Sequence, residues 1–467
     1  MQSSRRRFVG AAAASLLAGR SWAACAPASR MQTDQALRRL EDLPLDRSPS
    51  WGARGALTVA RSSTDVGGNP VRVMSYGGGF PGPVLRLRPG ETLNLKFDNR
   101  LDEATNLHFH GLYVSPSGRA DNIWVVAPPG AGFEYELQVA AQEAGVHWIH
   151  PHVHGHTAKQ LFAGLAMPVV VQGEIDRDSE LAQAEDHVLV LKDLSIANCA
   201  VAAHAPNDWI FGKEGEWLLV NGQVRPVLHA GKSLLRLRLV NASNSRFWRI
   251  ALDSGEALHL IALDGRFLES RVEVGELLLV PAARAEVLVV LPDRRPRRLL
   301  YRNYPRVGRN ATAEQPILTL LPPASSQQVA LPGRLMTLQR FDERLADAHR
   351  EVRFSPMLIN GKPFHHHHQG GHVAPTFEVR AGAREIWTVH NDDVMNHPFH
   401  LHTWHFDLLS VNGRPPAITA IRDMLNLSPG DAARIGIHFA DFSGRTMFHC
   451  HIAEHADRGM MAVLDVR

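Results

Sequence analysis

Three stretches of the chain share one pattern of alternating apolar and polar residues: LRLRPGETLNLKFDN (85–99), VLHAGKSLLRLRLVN (227–241) and FEVRAGAREIWTVHN (377–391). Each contains an alternating run, a turn glycine, a second alternating run, and an asparagine nine or ten residues after the glycine. Alternation with a period of two on both sides of a glycine predicts strand, turn and strand. The pattern therefore predicts a β-rich chain with an internal repeat.

The repeat unit has the size of a whole domain, because the three turn glycines are 141 and 151 residues apart. Two stretches of different composition, the acidic 174–186 and the Pro/Ser-rich 321–334, predict the joints between the repeats. We predict an all-β chain of three Greek-key β-sandwich domains. Their predicted ranges are 45–175, 186–322 and 335–467.

The N-terminal 23 residues predict a cleaved export signal. Three arginines precede a short apolar stretch, and Ser21-Trp22-Ala23 offers small residues for cleavage after Ala23. Ser-Arg-Arg-Arg-Phe-Val resembles the twin-arginine signal, so the export machinery of that pathway is an expected partner and the protein is expected to be periplasmic or secreted. The alternatives are a cytosolic amphipathic helix and lipidation at Cys25.

Charge and cysteine content exclude several classes of function. Residues 1–23 carry four arginines and no acid, so their removal shifts the formal charge from +3 to −1. Nothing then favours nucleic acid or an anionic membrane as a partner. Three cysteines cannot form a disulfide framework. At most Cys25 and Cys199 pair, and we expect Cys199 to be an inert lone thiol.

The 26 histidines are unusually many, and several of them form four clusters in the first and third repeats. Residues i and i+2 of a strand share a face, so each His-x-His pair can direct two imidazoles to one point. Imidazole binds copper, zinc, iron and nickel alike. The clusters are His108-Phe-His110, His150-Pro-His152, His397-Pro-Phe-His400-Leu-His402 and His449-Cys450-His451 with His455 and Met460.

Cys450 distinguishes among these metals. On a strand its sulfur leaves the face opposite to its two histidine neighbours, where it can meet His397 and His455 with Met460 along an axis. A trigonal Cys-His-His site with an axial Met is the arrangement of blue-copper electron transfer. Eight imidazoles remain, four from each outer domain, and we expect them to form one multi-metal cluster between those domains. The eight are His108, His110, His150, His152, His400, His402, His449 and His451.

The motifs HFHG, HPHVHG, HPFHLH and HCHIAEHADRGMM resemble the four copper motifs of the multicopper oxidases, in family order. The match is closest to three-domain bacterial laccases and periplasmic copper oxidases. The resemblance implies cupredoxin-like domains and four copper ions. It places type 1 copper on His397, Cys450, His455 and Met460, type 2 copper on His108 and His400, and the type 3 pair on His110, His150, His152, His402, His449 and His451.

The resemblance also implies a laccase-like activity. Phenols or aromatic amines would give up one electron at a time through the edge of His455 or His397, and dioxygen would be reduced to water by four electrons. The nearest alternative is an oxidase of Cu(I) or another metal ion that confers copper tolerance. A second alternative is a non-enzymatic cupredoxin scaffold. We expect a monomer whose partners are dioxygen and a small electron donor.

Acidic residues near the motifs are candidates for proton transfer and for orienting ligands. Asp121 falls where the family places an acid that supplies protons, and its alternative role is a turn-forming Asp. Asp393, four residues before His397, is expected to orient the site, or else to be a solvated loop acid. The acid that follows the last type 1 histidine in close relatives is Ala456 here, although Asp457 is adjacent.

Further histidines fit no ligand position. We expect His147, His154 and His156 to make supporting or surface hydrogen bonds. The run HHHHQGGH (365–372) either binds metal ions weakly or is a solvated polar loop.

Overall fold

The computed structural model describes residues 35–50, 52–141, 144–177, 180–325, 328–364 and 373–467. The predicted signal segment 1–23 and the histidine-rich run 365–372 lie outside the described residues. Within these ranges, no helix has the length and apolar character needed to cross a membrane.

The first part of the chain forms two sheets that pack face to face. Its nine strands are β1 (Asp46–Ser48), β2 (Gly52–Val66), β3 (Asn69–Tyr76), β4 (Leu85–Leu87), β5 (Thr92–Asn99), β6 (His108–His110), β7 (Gly132–Gln138), β8 (Gly145–His150) and β9 (Met167–Val171). Helix α1 (Thr157–Phe162) lies between β8 and β9. One sheet contains β3, β2, β5 and β7, with β1 beside β2, and the other has the order β4-β9-β8-β6.

The middle part begins with two 3-10 helices, Glu174–Arg177 and Leu181–Gln183. Its thirteen strands are β10 (Glu185–Leu194), β11 (Ile196–Ala197), β12 (Ala200–Val201), β13 (Trp217–Val220), β14 (Val227–His229), β15 (Leu234–Asn241), β16 (Trp248–Leu252), β17 (Leu258–Leu263), β18 (Arg266–Val274), β19 (Leu277–Leu279), β20 (Arg284–Val290), β21 (Arg297–Arg302) and β22 (Gln315–Leu321). Helix α2 (Pro206–Phe211) precedes β13. The sheets have the orders β13-β10-β15-β20-β17-β18 and β14-β22-β21-β16-β19.

The last part starts with a 3-10 helix, Glu343–Leu345. Its eleven strands are β23 (Ala348–Ser355), β24 (Leu358–Ile359), β25 (Phe377–Val379), β26 (Arg384–Asn391), β27 (His397–Leu401), β28 (Phe406–Val411), β29 (Ile421–Arg422), β30 (Met424–Leu427), β31 (Ala432–His438), β32 (Gly444–Cys450) and β33 (Met461–Val466). Helix α3 (Ala453–Asp457) joins the last two strands. The sheets have the orders β24-β23-β26-β31-β28-β29 and β25-β33-β32-β27-β30.

The three sandwiches repeat one pairing scheme. In each, the second strand of the sequence repeat pairs in parallel with an earlier strand: β5 with β2, β15 with β10, and β26 with β23. On its other side that strand pairs antiparallel with β7, β20 or β31. The predicted fold class, an all-β chain of three β-sandwiches, is confirmed. The exact domain boundaries stay predictions.

The asparagine that ends each repeat has the same function in all three sandwiches. The side-chain amides of Asn99, Asn241 and Asn391 are buried, and each donates to at least two carbonyl oxygens beyond its own strand. Each Oδ1 accepts from the backbone N–H two residues later. The repeat therefore marks a hydrogen-bonded corner, and in the third sandwich this corner leads directly to His397.

The hairpin of β11 and β12 connects the first two sandwiches, because Ala200 of β12 pairs with Arg72 of β3. Cys199, in the turn of this hairpin, is disulfide-bonded. This finding corrects the expectation of a lone thiol. Cys450 is free, and the remaining cysteine, Cys25, lies outside the described residues.

The middle sandwich packs against β8, the strand that ends at His150. Trp148 of β8, two residues before His150, is fully buried in a core that also contains Leu237 and Val287 of the middle domain. Burial of a tryptophan of this size contributes several kcal/mol. This packing holds β8 in place beside the middle domain.

A buried ion pair fixes the middle domain to the third. Arg284, the first residue of β20, donates from Nη1 and Nη2 to the two carboxylate oxygens of Asp423, at 2.7 Å each. Nη2 also donates to the carbonyl oxygen of Asp264, and the Arg284 backbone N–H donates to the Asp264 side chain. All three residues are buried, so the guanidinium compensates two carboxyl groups that water does not reach.

Replacing Arg284 by leucine should destabilise the protein strongly. Arg284→Leu leaves two buried carboxyl groups without their cation, which costs about 3–5 kcal/mol. Calorimetry should detect this loss as a lower apparent melting temperature. Arg434→Leu removes an arginine that pairs with Glu343 at the surface, and this control should change stability by less than about 1 kcal/mol. Equal melting temperatures for the two variants would contradict the anchoring role of Arg284.

Candidate metal centres

The free cysteine lies between two histidines that come from different elements. Cys450 is the last residue of β32, His397 is the first residue of β27, and His455 lies in α3. The Cys450 Sγ is 3.4 Å from Nδ1 of His397 and 3.7 Å from Nδ1 of His455. All three side chains are buried and their ligand atoms lie within 4.8 Å of one another. The structure therefore brings together the Cys-His-His set that the sequence predicted.

Each imidazole of this site is oriented by an oxygen on its far side. His397 Nε2 is 2.9 Å from the carboxylate of Asp393, and His455 Nε2 is 3.0 Å from the carbonyl oxygen of Ile210 in α2. With Nε2–H donating outward, Nδ1 of each ring has its lone pair toward the sulfur. Asp393 thus contacts the site as expected, whereas the contribution of Ile210 from the middle domain was not predicted.

Met460, the predicted axial ligand, is joined to this site by its backbone. Its side chain is fully buried, its backbone N–H donates to the His455 carbonyl, and its own carbonyl accepts from the Cys450 N–H. These two hydrogen bonds close the loop from β32 through α3 to β33. The loop therefore keeps Met460 beside Cys450 and His455.

Eight further histidines meet where the first and third sandwiches face each other. Strand register places His108 opposite His150, and His400 opposite His449. Between domains, His152 Nε2 is 3.3 Å from His449 Nε2, which is also 3.0 Å from His402 Nε2. All eight side chains are buried. The cluster is thus shared by the two outer domains, as the repeat pattern predicted.

The family motifs assign the eight rings to a pair and two triplets, but the rings form one continuous cluster, and rings of different groups are equally close, such as His400 and His402 at 4.8 Å. His110, His150 and His451 have centroids 5.0–5.5 Å apart. His152, His402 and His449 have centroids 4.8–5.2 Å apart. The remaining two, His108 and His400, are 5.8 Å apart. Each of the two stacks on a triplet ring from the other domain, at 4.0 Å and 3.9 Å.

Four rings are held by an oxygen that accepts from Nδ1–H, which leaves Nε2 for the cluster. The acceptors are the Asp121 carboxylate for His108, the Pro151 carbonyl for His150, the Asp423 carbonyl for His400 and the Cys450 carbonyl for His449. Hydrogen bonding of one ring nitrogen fixes which nitrogen can bind a metal. Three backbone carbonyls and one carboxylate therefore set the tautomers of half the cluster.

Burial makes these groups suitable for a metal. Desolvation lowers the pKa of His150 to about 3 and that of His449 to about 4, and it lowers the pKa values of the other cluster histidines as well. The rings are therefore neutral, as metal ligands must be. Within the described part of the chain, Nε2 of His108 and His400 and both ring nitrogens of His451 have no hydrogen-bond partner. Such buried polar atoms are costly unless a metal binds them, and the imidazole and thiol donors fit copper.

Asp121 is fully buried between the cluster and the core. Its two oxygens are each 3.0 Å from His108 Nδ1, and Oδ1 accepts from the Phe109 N–H. Burial raises the pKa of Asp121 to about 7, although the Phe109 hydrogen bond opposes this shift. The side chain can thus orient His108 and also exchange a proton near neutral pH.

Two acids that sequence reasoning missed also contact the centres. Asp423 Oδ1 lies 3.7 Å from His110 Nε2, and together with His110 and His400 it could hold a metal ion. Glu454, immediately before His455, is buried and bonded to Asn244 (2.7 Å) and His204 (2.9 Å) of the middle domain. Glu454 is adjacent to a motif histidine in the sequence, whereas Asp423 lies 21 residues after His402 and carried no sequence signal.

The residue pair after His455 does not contact the histidine cluster. Ala456 packs in an apolar group with Ile123 and Met447, so this position carries no acid. Asp457 turns toward the first domain and accepts from the N–H groups of Gly155 and Ala158 at 2.8 Å each. It therefore binds the start of α1 to α3.

The three histidines without a ligand position lie outside these groups. His147 is buried next to Gly265 of the middle domain, the His154 ring is 5.2 Å from the Phe364 ring, and His156 Nδ1 is 3.8 Å from Glu103. None of the potential metal-binding groups in the described ranges includes them.

Comparison with known proteins gives one family. Residues 58–175 and 342–467 each match a family profile described as multicopper oxidase. A multicopper oxidase (mco) from Staphylococcus aureus is 29% identical over 85% of both chains. The structure of a laccase-like multicopper oxidase, CueO, from Ochrobactrum sp. is 30% identical and superposes with a TM-score of 0.79, covering 91% of this chain and all of that one. A multicopper oxidase from Campylobacter jejuni, described as a metallo-oxidase, has a TM-score of 0.85 at 26% identity and covers 95% and 97%.

A relative of another name is also similar. The cell division protein FtsP of Dickeya dadantii is 28% identical over 99% of this chain and 98% of its own. The fold and the overall sequence similarity therefore do not distinguish an oxidase from a cell division protein such as FtsP. The site residues must make that distinction.

Metal binding at the Cys-His-His site should release a proton. Burial raises the pKa of the Cys450 thiol to about 12, so the thiol is protonated at pH 7 and must lose its proton to bind a metal. Titrating metal-free protein with Zn²⁺ in weakly buffered solution should release about one proton more from the native chain than from Cys450→Ser. Equal release would show that Cys450 is not a ligand.

Proposed function

Since this chain belongs to the multicopper oxidases and is a copper-dependent oxidoreductase, we propose that it oxidises phenols and aromatic amines by one electron at a time and reduces dioxygen to water. The observation that supports this most directly is the joint presence of a Cys-His-His group and an eight-histidine cluster. The two are linked through neighbouring residues of one strand.

In this proposal His397, Cys450, His455 and Met460 hold type 1 copper. His108 and His400 hold type 2 copper, and the two histidine triplets hold the type 3 pair. Copper supplies one-electron redox chemistry at the first site and dioxygen binding and reduction at the cluster. In the motifs of the multicopper oxidases, this set of twelve ligands corresponds to four ions in all.

Strand geometry explains why Cys450 can serve two sites. Its side chain and those of His449 and His451 leave opposite faces of the chain at the end of β32. Cys450 Sγ faces His397, while the His449 ring faces His152 and His402. Cys450 is thus a short covalent link between the one-electron site and the cluster.

Asp121 is suited to supply protons at the cluster. Its carboxyl group is hydrogen-bonded to His108, and its pKa of about 7 means that both protonation states are populated near neutral pH. Below pH 7 the carboxyl group carries a proton that it can give up, and above pH 7 it does not. Asp423 also lies close to the cluster, 3.7 Å from His110, but its carboxylate is paired with Arg284.

We propose that dioxygen approaches the cluster through a small cavity beside His152. It has a volume of about 20 Å³, and His152, Ile123, Trp124 and Met447 are among its lining residues. Val126, 44% exposed, also lines it. The volume admits about one water-sized molecule, and the apolar wall suits a small apolar gas.

The second candidate function is oxidation of Cu(I) or another metal ion. It is favoured by the similarity to the Campylobacter jejuni metallo-oxidase and by the histidine-rich run at 365–372. A non-enzymatic scaffold is disfavoured, because such a protein has no need for eight buried neutral imidazoles beside a buried Cys-His-His group. We further propose twin-arginine export, a periplasmic or secreted location and a monomeric state.

The proposed activity can be tested by oxygen uptake of copper-loaded protein with guaiacol and, separately, with Cu(I). We expect guaiacol-driven uptake with about four donor molecules consumed per dioxygen, as reduction to water requires. Cys450→Ser should abolish both the blue colour and the uptake with guaiacol. Uptake with Cu(I) alone would favour the metal-ion oxidase, and no uptake with any donor would overturn both proposals.

Asp121→Asn should slow oxygen reduction without loss of the blue colour, because the amide cannot supply a proton. In the native enzyme the rate of reoxidation should fall as pH rises through about 7, where Asp121 loses its proton. This fall of the rate with pH should be absent in Asp121→Asn when reoxidation is followed by stopped-flow absorbance. Asp102→Asn changes an exposed acid and should behave as the native enzyme. An unchanged rate and pH profile in Asp121→Asn would rule out the proton role.

A further inference from the structure

A cavity of about 710 Å³ lies between the first and middle domains, apart from the metal-binding histidines. Its walls come from β3, from α1 and from the segment between β12 and α2. The volume is within the range of about 300–1,000 Å³ that is typical of small-molecule sites. Neither the fold nor the proposed copper sites require a cavity here.

The lining combines aromatic walls with a cationic mouth. Phe162, Trp209 and Met74 contribute apolar surface, while the exposed residues Arg61, Arg72 and Lys159 lie around the opening. In the described part of the lining there is no carboxylate. The carboxylates that pair with Arg61 and Lys159, on Asp102 and Glu103, lie outside it. The site thus suits a flat ring with an anionic tail better than it suits a metal cation.

Two short paths join this cavity to His455. Trp209 precedes Ile210, whose carbonyl oxygen is 3.0 Å from His455 Nε2. His204, which also lines the cavity, has its Nε2 2.9 Å from the carboxylate of Glu454, the residue before His455. The rings of His204 and Trp209 are themselves 4.8 Å apart.

Other residues cover the His455 ring, so an electron must reach it through one of these paths. His455 and His397 are both fully buried, and α2 lies over the His455 edge. A bulky donor therefore cannot reach either imidazole directly in this structure. It can instead lie against Trp209 and His204. Trp209 is adjacent to Ile210, which contacts His455, and His204 is hydrogen-bonded to Glu454, the residue before His455.

We infer that this cavity binds phenolic carboxylates as electron donors, an inference that rests on the proposed function. Each bound phenol loses one electron and the proton of its hydroxyl group, and it leaves as a phenoxyl radical. The electron enters at the Cys450 site and the proton goes to solvent at the mouth. Four such oxidations supply the four electrons, and solvent supplies the four protons, for reduction of one dioxygen to two waters.

The test measures binding and turnover separately. Homovanillate should bind to metal-free protein in isothermal titration calorimetry, and more tightly than guaiacol, which lacks the carboxylate. Ala202→Trp fills the cavity and should weaken homovanillate binding about tenfold or more. Ala197→Trp, on the same hairpin but outside the lining, should have no effect. Arg72→Gln should weaken homovanillate binding more than guaiacol binding.

In copper-loaded enzyme, Ala202→Trp should raise the KM for homovanillate by about tenfold or more, because the donor site is filled. Oxygen uptake driven by hexaammineruthenium(II), a cationic donor with no ring, should be unchanged. Ala203→Trp, at an exposed position of the same lining, is a second variant in case the first does not fold.

Unchanged homovanillate binding and KM in these two variants would overturn the inference, even if the enzyme is an active oxidase. Failure of the proposed function gives a different result. Oxygen uptake would then be absent with both donors, while homovanillate could still bind to the metal-free protein.

Discussion

The structure depends on the cost of removing ten imidazoles and one thiol from water. Burial keeps the imidazoles neutral and the Cys450 thiol protonated, and it leaves several ring nitrogens without hydrogen bonds. Groups in this state are unfavourable in a folded protein unless a metal ion binds them. The three sandwiches can be understood as the framework that maintains this arrangement. Two of them carry the ligands, and the third holds those two in position.

The middle domain has no ligand, yet it contacts both centres. Arg284 binds Asp423 beside the cluster, Asn244 binds Glu454 beside His455, and the carbonyl of Ile210 accepts from His455 itself. The repeat without the histidine motif thus has a different role. The domain orients the site through one backbone carbonyl and through side chains that bind acids of the third domain. Residues that surround metal ligands commonly tune a metal site in this way.

Much of this arrangement could be predicted from sequence, because it depends on local periodicity. The alternation around Gly90, Gly231 and Gly382 indicated three β-sandwiches, and the alternation around Cys450 placed its sulfur and the adjacent imidazoles on opposite faces. The contacts of Arg284 and Ile210 could not be predicted, because they join residues far apart in sequence and carry no motif. Cys199 was expected to be a lone thiol and is disulfide-bonded, because no local motif marks a cysteine that pairs.

The shared cluster also has a consequence for the order in which the protein matures. The first domain's histidines are synthesised well before the third domain exists, and His152 has its partners His402 and His449 only when the chain is nearly complete. A nascent chain on the ribosome therefore has no complete site with which to retain copper. Metal acquisition must be a late event in the life of the molecule, after the last strand has paired. A chain released before the third domain is made would carry the histidines of the first domain but would have no complete site.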